Sequence, residues 1–356
     1  MKLSILMCTL AACACVAADF PHQTVTSGLG YFPVAIRLKN GDILAVVRGG
    51  APHIGIKGRL DMVRSTDEGK TWSKPWTAID ESQDDRNPAL GELNDGTVVL
   101  AYVIASGYDQ SGERFKGNRN ERIFDGVYLI FSKDNGQTWT KPVRDETIKK
   151  FYSSAPGAAV SPYGKIVQLR DGTVLMAVYF HFYGERGHES WVFRSRDNGK
   201  NWGEPAMIGK RYNETGIAAL RDGRVLAALR SEKGAHLAIA ESADQGRTWS
   251  TPVQVTKDSE HPADLIQLRD RRILLTYGER NPPRGARAIL SADGRKWDTS
   301  KPIVLADDAP VTDCGYPSSV EVGPGKIVTL YYQVDDLKNA LATSSSRAVS
   351  WTAPKK

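Results

Sequence analysis

Apolar and polar positions alternate along this chain in pairs of short runs, and each pair is centred on a turn dipeptide. The clearest instance runs from Val34 to Val47, where alternating residues flank Asn40-Gly41. The same pattern surrounds Asp95-Gly96, Asp171-Gly172 and Asp222-Gly223, recurs around Asp270-Arg271 and returns more loosely around Pro324-Gly325. A period of two on both sides of an Asx-Gly pair is the strongest short-range signal for a β-hairpin. Six hairpins are therefore predicted, and no stretch of useful length carries the 3.6-residue period of a helix.

A second phrase separates the hairpins. Ser65-Thr66-Asp67-Glu68-Gly69-Lys70-Thr71-Trp72 returns from Ser132 to Trp139, Ser195 to Trp202 and Ser242 to Trp249. It is shortened between Ser291 and Trp297 and faded between Ser344 and Trp351. Physically it reads as a turn: a Ser or Asp side chain bonds its own backbone, Gly supplies positive φ, and Trp closes the apolar side. Its Asp-x-Asx-Gly fragments lack the further oxygen ligands and terminal Glu of a calcium loop, so no metal is expected. Hairpin and phrase recur together at intervals of roughly 50 to 75 residues, close to the period of a propeller blade. The prediction is all-β: one six-bladed β-propeller of four-stranded antiparallel blades over residues 19–356. The polar insertions Ser106 to Arg122 and Tyr183 to His188 are expected to be loops over one face.

Composition changes this picture little. The chain has 356 residues, 41% apolar and 25% charged, as in ordinary globular proteins. No mid-chain apolar run reaches the length of a membrane span. Residues 1–18 read as a leader, with Lys2, an apolar stretch from Leu3 to Val16 and a small-residue site at Val16-Ala17-Ala18. The competing reading is a lipobox, Leu10-Ala11-Ala12-Cys13, which attaches the protein to a membrane through a lipidated Cys13. Either route exports it, to the periplasm, the outer membrane or the outside. Cys8, Cys13 and Cys15 fall in the leader, so Cys314 is alone and no internal disulfide is available. Cys314 reads as a nucleophile or as a small part-buried residue, and nothing beside it favours the thiolate. The net charge is +6, but Lys and Arg are scattered among acids. Without a basic stripe and interleaved aromatics, nucleic-acid binding is excluded, and a monomer is expected.

If the six hairpins are equivalent, the residues before each first strand share one rim of a central channel. These are Tyr31-Phe32-Pro33, Arg86-Asn87-Pro88, Tyr163-Gly164, Asn213-Glu214, His261-Pro262 and Tyr316-Pro317. The ends of the second strands add Arg48, Tyr179, Arg230, Tyr277 and Tyr332. Planar donors for acids and aromatic faces for pyranose rings make this a sugar-binding rim.

The repeated phrase resembles the Asp box, or BNR repeat, of the sialidase superfamily, over nearly all of the chain after the leader. That resemblance implies a propeller and, position by position, a site. Glu214 and Arg230 match the Glu that begins the fourth hairpin and the Arg that ends it. Tyr316-Pro317-Ser318-Ser319 matches the phrase carrying the nucleophilic Tyr, and Asn87-Pro88-Ala89 is also family-like. Arg287 or Arg284 fills the place of a further Arg before the fifth Asp box. In this set Glu214 takes the proton of Tyr316, while Arg230 and Arg287 hold a substrate carboxylate. A neutral Tyr suits an acidic substrate, which would repel a carboxylate nucleophile.

Two departures stand out. Tyr31-Phe32-Pro33 occupies the place of an Arg-Ile-Pro phrase, and Gln333 that of the missing Arg's acidic partner. No Asp is evident in the first-blade loop, so His53 is the expected acid/base, with Asp61 further along and Arg48 replacing the absent Arg. Tyr31, Arg86, His261 and Asp264 complete the expected substrate-binding set. Structural alternatives remain for three of these: Glu214–Arg230 as a salt bridge, Tyr316 as a packing aromatic, and His261 with Asp264 as a hydrogen-bonded pair.

The expected function is an exported glycoside hydrolase. It releases a terminal acidic sugar, such as sialic acid, from a glycan by a Tyr/Glu retaining mechanism, with no metal or organic cofactor. The alternatives are a non-catalytic glycan-binding propeller, or a propeller glycosidase or lyase acting on a different acidic or deoxy sugar.

Overall fold

Each Asx-Gly dipeptide closes its hairpin in the same way, with the glycine in the left-handed region. Gly41, Gly96, Gly172 and Gly223 have φ of 97°, 82°, 90° and 94°, and each donates its N–H to the carbonyl of a leucine three residues earlier. Arg271 takes this position in the fifth hairpin at φ 75° and bonds Leu268. A computed structural model of the chain describes residues 20–28, 30–116, 123–153, 159–182, 184–335 and 343–355. The predicted leader, Cys13 and parts of both predicted insertions lie outside those residues.

The strands follow in chain order. After β1 (His22–Thr26) come β2 (Tyr31–Arg37), β3 (Ile43–Gly49), β4 (Arg59–Ser65) and β5 (Trp76–Ile79). Next are β6 (Asp84–Glu92), β7 (Val98–Ser106), β8 (Ile123–Ser132), β9 (Val143–Arg144) and the helix α1 (Glu146–Ser153). The third group is β10 (Ala159–Gln168), β11 (Val174–Phe182), β12 (Gly187–Ser195) and β13 (Gly203–Lys210). The fourth is β14 (Tyr212–Ala219), β15 (Val225–Ser231), β16 (Leu237–Ser242) and β17 (Val253–Gln254). The fifth is β18 (Glu260–Gln267), β19 (Ile273–Glu279), β20 (Gly285–Ser291) and β21 (Ile303–Ala306). The chain ends in β22 (Cys314–Gly323), β23 (Lys326–Val334) and β24 (Ser344–Thr352).

The expected six separate four-stranded blades are not what forms. The described strands make four 4-stranded sheets in a propeller-like arrangement and one 8-stranded sheet. The large sheet arises because β10 runs parallel to β6 and pairs with it at Gly164↔Ala89 and Lys165↔Leu90. Small residues allow the approach: a Cβ on Gly91 would lie 2.3 Å from the Ile166 carbonyl oxygen. Local alternation carries no trace of such a contact between leading strands. A second departure from all-β is α1, eight residues long and capped by Asp145, whose Oδ1 accepts the Ile148 N–H at 2.7 Å. That is too short for a helical period to show.

The propeller class itself stands. The leading strands pack in a circuit, β2 on β6, β10 on β6 and β14, β18 on β14 and β22, and β22 back on β2. The ring closes through β1, which pairs with β24 to complete the last sheet. Between sheets lie apolar layers, such as Val34, Leu44 and Met62 against Leu90, Leu100 and Ile130.

The repeated phrase sits at the outer turn of the sheets. In the first copy Ser65 Oγ accepts the Gly69 N–H at 2.8 Å, while Asp67 accepts the Thr71 N–H at 2.9 Å and its hydroxyl at 2.6 Å. The second and fourth complete copies repeat these bonds, and in the third the side-chain amide of Asn201 donates in place of the hydroxyl. Its glycine also meets the second strand of the preceding sheet. A Cβ on Gly69 would lie 2.8 Å from Val328, and one on Gly136 2.6 Å from Leu44. The phrase therefore joins neighbouring sheets and takes no part in the rim.

Candidate active site

Three hairpins begin with a kink that turns a side chain inward. Phe32, Asn87 and Tyr316 each precede a proline and have φ of 53°, 53° and 50°. At all three the strand register slips, between Tyr31 and Val34, Arg86 and Ala89, and Gly315 and Ser318. Left-handed, non-glycine residues at bulges are strained, and such strain gathers where a side chain must be aimed. Phe32, Asn87 and Tyr316 all line one pocket, together with Tyr163, Glu214 and Asp264.

Glu214 at the start of β14 joins two other elements. Tyr316 donates its hydroxyl to Glu214 Oε1 at 2.5 Å, and Arg230 Nη1 donates to Oε2 at 2.6 Å. Burial disfavours the Glu214 carboxylate, but the Arg230 charge and the bonds from Tyr316 and Arg230 hold its pKa below the ordinary value. Burial, and then the Glu214 charge, pushes the Tyr316 phenol well above 10.0. The pair is thus an ionised carboxylate and a neutral phenol in a short bond.

Around the pair lie groups that sequence reasoning did not find. Arg280, just beyond β19, has its guanidinium 5.7 Å from the centre of the Tyr316 ring, within cation–π range, and its Nε is buried without a partner. Only Gly278 and Glu279 separate it from Tyr277, the rim residue expected for that hairpin, so its signal in the sequence is a basic residue just past the second-strand aromatic. Asp313 precedes β22 and binds two rim residues: His53 Nδ1 lies 3.0 Å from Oδ2, and the Tyr332 hydroxyl donates to Oδ1 at 2.5 Å. Burial opposes ionisation of Asp313, yet the His53 and Tyr332 bonds and the Arg280 charge lower its pKa. His53 packs edge-on against Phe32 at 5.0 Å, and Phe32 in turn lies 4.9 Å from Tyr316.

The other predicted residues fall elsewhere. Arg48 is fully buried, and its guanidinium is committed to Asp84 and the carbonyls of Ala51, Pro52 and Gly55. Those five bonds leave it no donor for a substrate. Arg86 donates to Asp84 at 3.1 Å and to the His53 carbonyl at 3.2 Å. Arg287 is buried and bonds the carbonyls of Ala286, Ala306 and Pro283, while Arg284 is half-buried with an unpartnered Nε. Tyr31 is fully buried among Phe32, His53 and Tyr332, so aromatic rings fill the place of the absent arginine. Gln333 is buried with an unpartnered Oε1.

His261 and Asp264 take separate surroundings. Asp264 lines the pocket and accepts from Lys165 Nζ and from the Ser319 N–H at 2.7 Å. His261 is buried with an unpartnered Nδ1, and burial and the Arg230 and Arg280 charges lower its pKa to about 2, so it stays neutral. Asp61 pairs with Arg59 at 2.9 Å. Burial raises the Cys314 thiol to about 11, which keeps it protonated. Among the described residues no three His, Cys, Asp or Glu gather closely enough to hold a metal ion.

Comparison with known proteins gives this geometry a context. The model of the BNR repeat-like domain matches residues 48–329. A sialidase of Paraclostridium sordellii is 24% identical over 200 residues, which cover 53% of this chain and 49% of the relative. The chain spans about half the length of the curated relatives it matches. Among solved structures, a protein of unknown function from Dyadobacter fermentans superposes with a TM-score of 0.76 at 24% identity, covering 92% of this chain and 99% of the other. A Hadza microbial sialidase superposes at 0.70 with 19% identity, over 91% of this chain and 66% of its own.

Proposed function

Because the chain belongs to the BNR repeat-like domain family of the sialidase superfamily, we propose that it is a glycoside hydrolase releasing a terminal acidic sugar from a glycan. The observation that carries this reading is the line Arg230–Glu214–Tyr316, whose Glu214 and Tyr316 line the pocket. Tyr316 attacks the anomeric carbon while its proton passes to Glu214, which is ionised and already bonded to it. The positive charge of Arg230 keeps that base ionised. His53, oriented through Nδ1 by Asp313, gives the Nε2 proton to the leaving oxygen and later takes one from the water that hydrolyses the glycosyl-tyrosine, as Glu214 returns its proton to the departing Tyr316 oxygen.

Arg230 and Arg280 flank Tyr316 and are the groups suited to the sugar's carboxylate. No further arginine joins them at Tyr31, where the rings of Tyr31, Phe32 and Tyr332 fill the place expected for one. Sialic acid is the default substrate, and another sugar acid is its rival.

The test is release of free monosaccharide from sialylated, uronylated and rhamnosylated glycans. Release from an acid-ended glycan, and none from the rhamnosylated ones, is expected. Calorimetric binding of these glycans without release from any of them would replace the hydrolase with a glycan-binding propeller.

A further inference from the structure

The loop between β3 and β4 carries His53, and no strand register places it. What holds it is a buried polar cluster. Arg48, at the end of β3, donates to the carbonyls of Ala51 at 3.2 Å, Pro52 at 2.5 Å and Gly55 at 3.1 Å. Arg86 of the next sheet reaches across to the carbonyl of His53 itself at 3.2 Å. Both arginines are oriented by one carboxylate, Asp84, which is fully buried. Arg48 Nε donates to Oδ1 at 3.0 Å, and Arg86 Nη1 to Oδ2 at 3.1 Å. Tyr108, from the insertion after β7, donates to Asp84 at 2.5 Å and accepts the Gly55 N–H at 3.3 Å. The loop lies directly on this cluster: a Cβ on Gly58 would fall 1.9 Å from Asp84 Oδ1 and 2.4 Å from Arg48 Nη2.

A buried ion cluster of this kind is a poor way to gain stability, because desolvation consumes much of its Coulombic attraction. Its donors instead converge on four successive or near-successive carbonyls around one histidine. We propose that Arg48, Asp84, Arg86 and Tyr108 are positioning residues that fix the backbone of His53 for proton transfer to the leaving group. Asp313 fixes the ring through Nδ1. This rests on the reading of His53 as the acid/base, and it gives a function to Arg48, which the sequence suggested as a substrate ligand.

The experiment uses one acidic glycone with two leaving groups, an activated aryl alcohol that departs with little protonation and a sugar that needs it. Wild type, His53→Ala, Arg48→Lys and Tyr108→Phe are compared on both, with thermal unfolding as the folding control. Misplacing the acid by about 1 Å should cost Arg48→Lys and Tyr108→Phe roughly 10²-fold on the sugar leaving group, and less than about threefold on the aryl one. His53→Ala should show the same split. If His53→Ala splits the substrates and the two cluster variants lower both rates equally, or neither, the positioning role is overturned while the hydrolase stands. If His53→Ala itself shows no split, the acid/base reading falls and the inference falls with it. Tyr108→Phe keeps its ring against Phe115, 4.3 Å away, so it serves if Arg48→Lys fails to fold.

Discussion

Asp85 adjoins the Asp84 cluster and is itself fully buried, with Oδ2 accepting the Glu81 N–H at 2.8 Å and Oδ1 unpartnered. Burial raises its pKa from 3.8 to about 7, against the Glu81 bond and with the help of the Glu81, Asp84 and Asp80 charges. Between those two pH values the folded chain holds a proton that the unfolded chain releases, so stability falls as pH rises through that window. Asp85→Asn removes the titration. It should stabilise the protein by on the order of 4 kcal/mol at pH 8 and by almost nothing at pH 3.5. Thermal unfolding at the two pH values checks this, and an equal effect at both would contradict it. At this scale Tyr316, Glu214 and Arg230 were legible because each begins or ends a hairpin whose turn is marked. Arg280 and Asp313 were not, since they stand just outside the strands, where no alternation marks a facing side. The burial of Arg48 was hidden as well, because its partner Asp84 is 36 residues away.

At the scale of the element, the repeated phrase is a joint between sheets. Gly136 has φ 84° and faces Leu44, whereas Gly96, at φ 82°, has nothing within 4 Å of an added Cβ. Gly96→Ala should cost about 1 kcal/mol from left-handed strain alone. Gly136→Ala should lose about 1–3 kcal/mol beyond that, from overpacking against Leu44. Urea unfolding of both variants checks the order, and equal losses would mean that the phrase does not bind one sheet to the next. Hairpins and phrases could be found in the sequence because their turns impose residue types locally. The parallel pairing of β6 with β10 imposes only small side chains at Ala89, Gly91 and Gly164, and small residues have many other reasons to occur. Eight residues of α1 likewise fall below any periodic signal.

For the molecule as a whole, closure depends on β1. Val25 is buried in the last sheet, and His22 Nδ1 lies 2.8 Å from the Tyr331 hydroxyl. Without His22–Thr26 the edge of β24 is left unpaired, and an open edge both weakens the ring and invites association. A chain lacking those five residues should unfold about 5–10 °C lower and aggregate on heating, as calorimetry and light scattering would show. An unchanged melting temperature would mean that packing between sheets suffices without the closing strand. The ring matters for the site because Tyr316 comes from the sheet that β1 completes, while Glu214 and Arg230 come from another.

The proposed hydrolase stands or falls on Tyr316 as nucleophile and Glu214 as its base. Its most direct measurement is kcat/KM of Tyr316→Phe on whichever acidic glycoside the wild type hydrolyses, with calorimetric binding of the same glycan. A loss of at least about 10²-fold with little change in Kd is expected, because the phenylalanine keeps the ring and removes only the attacking oxygen. A Tyr316→Phe enzyme that turns over at the wild-type rate would contradict it.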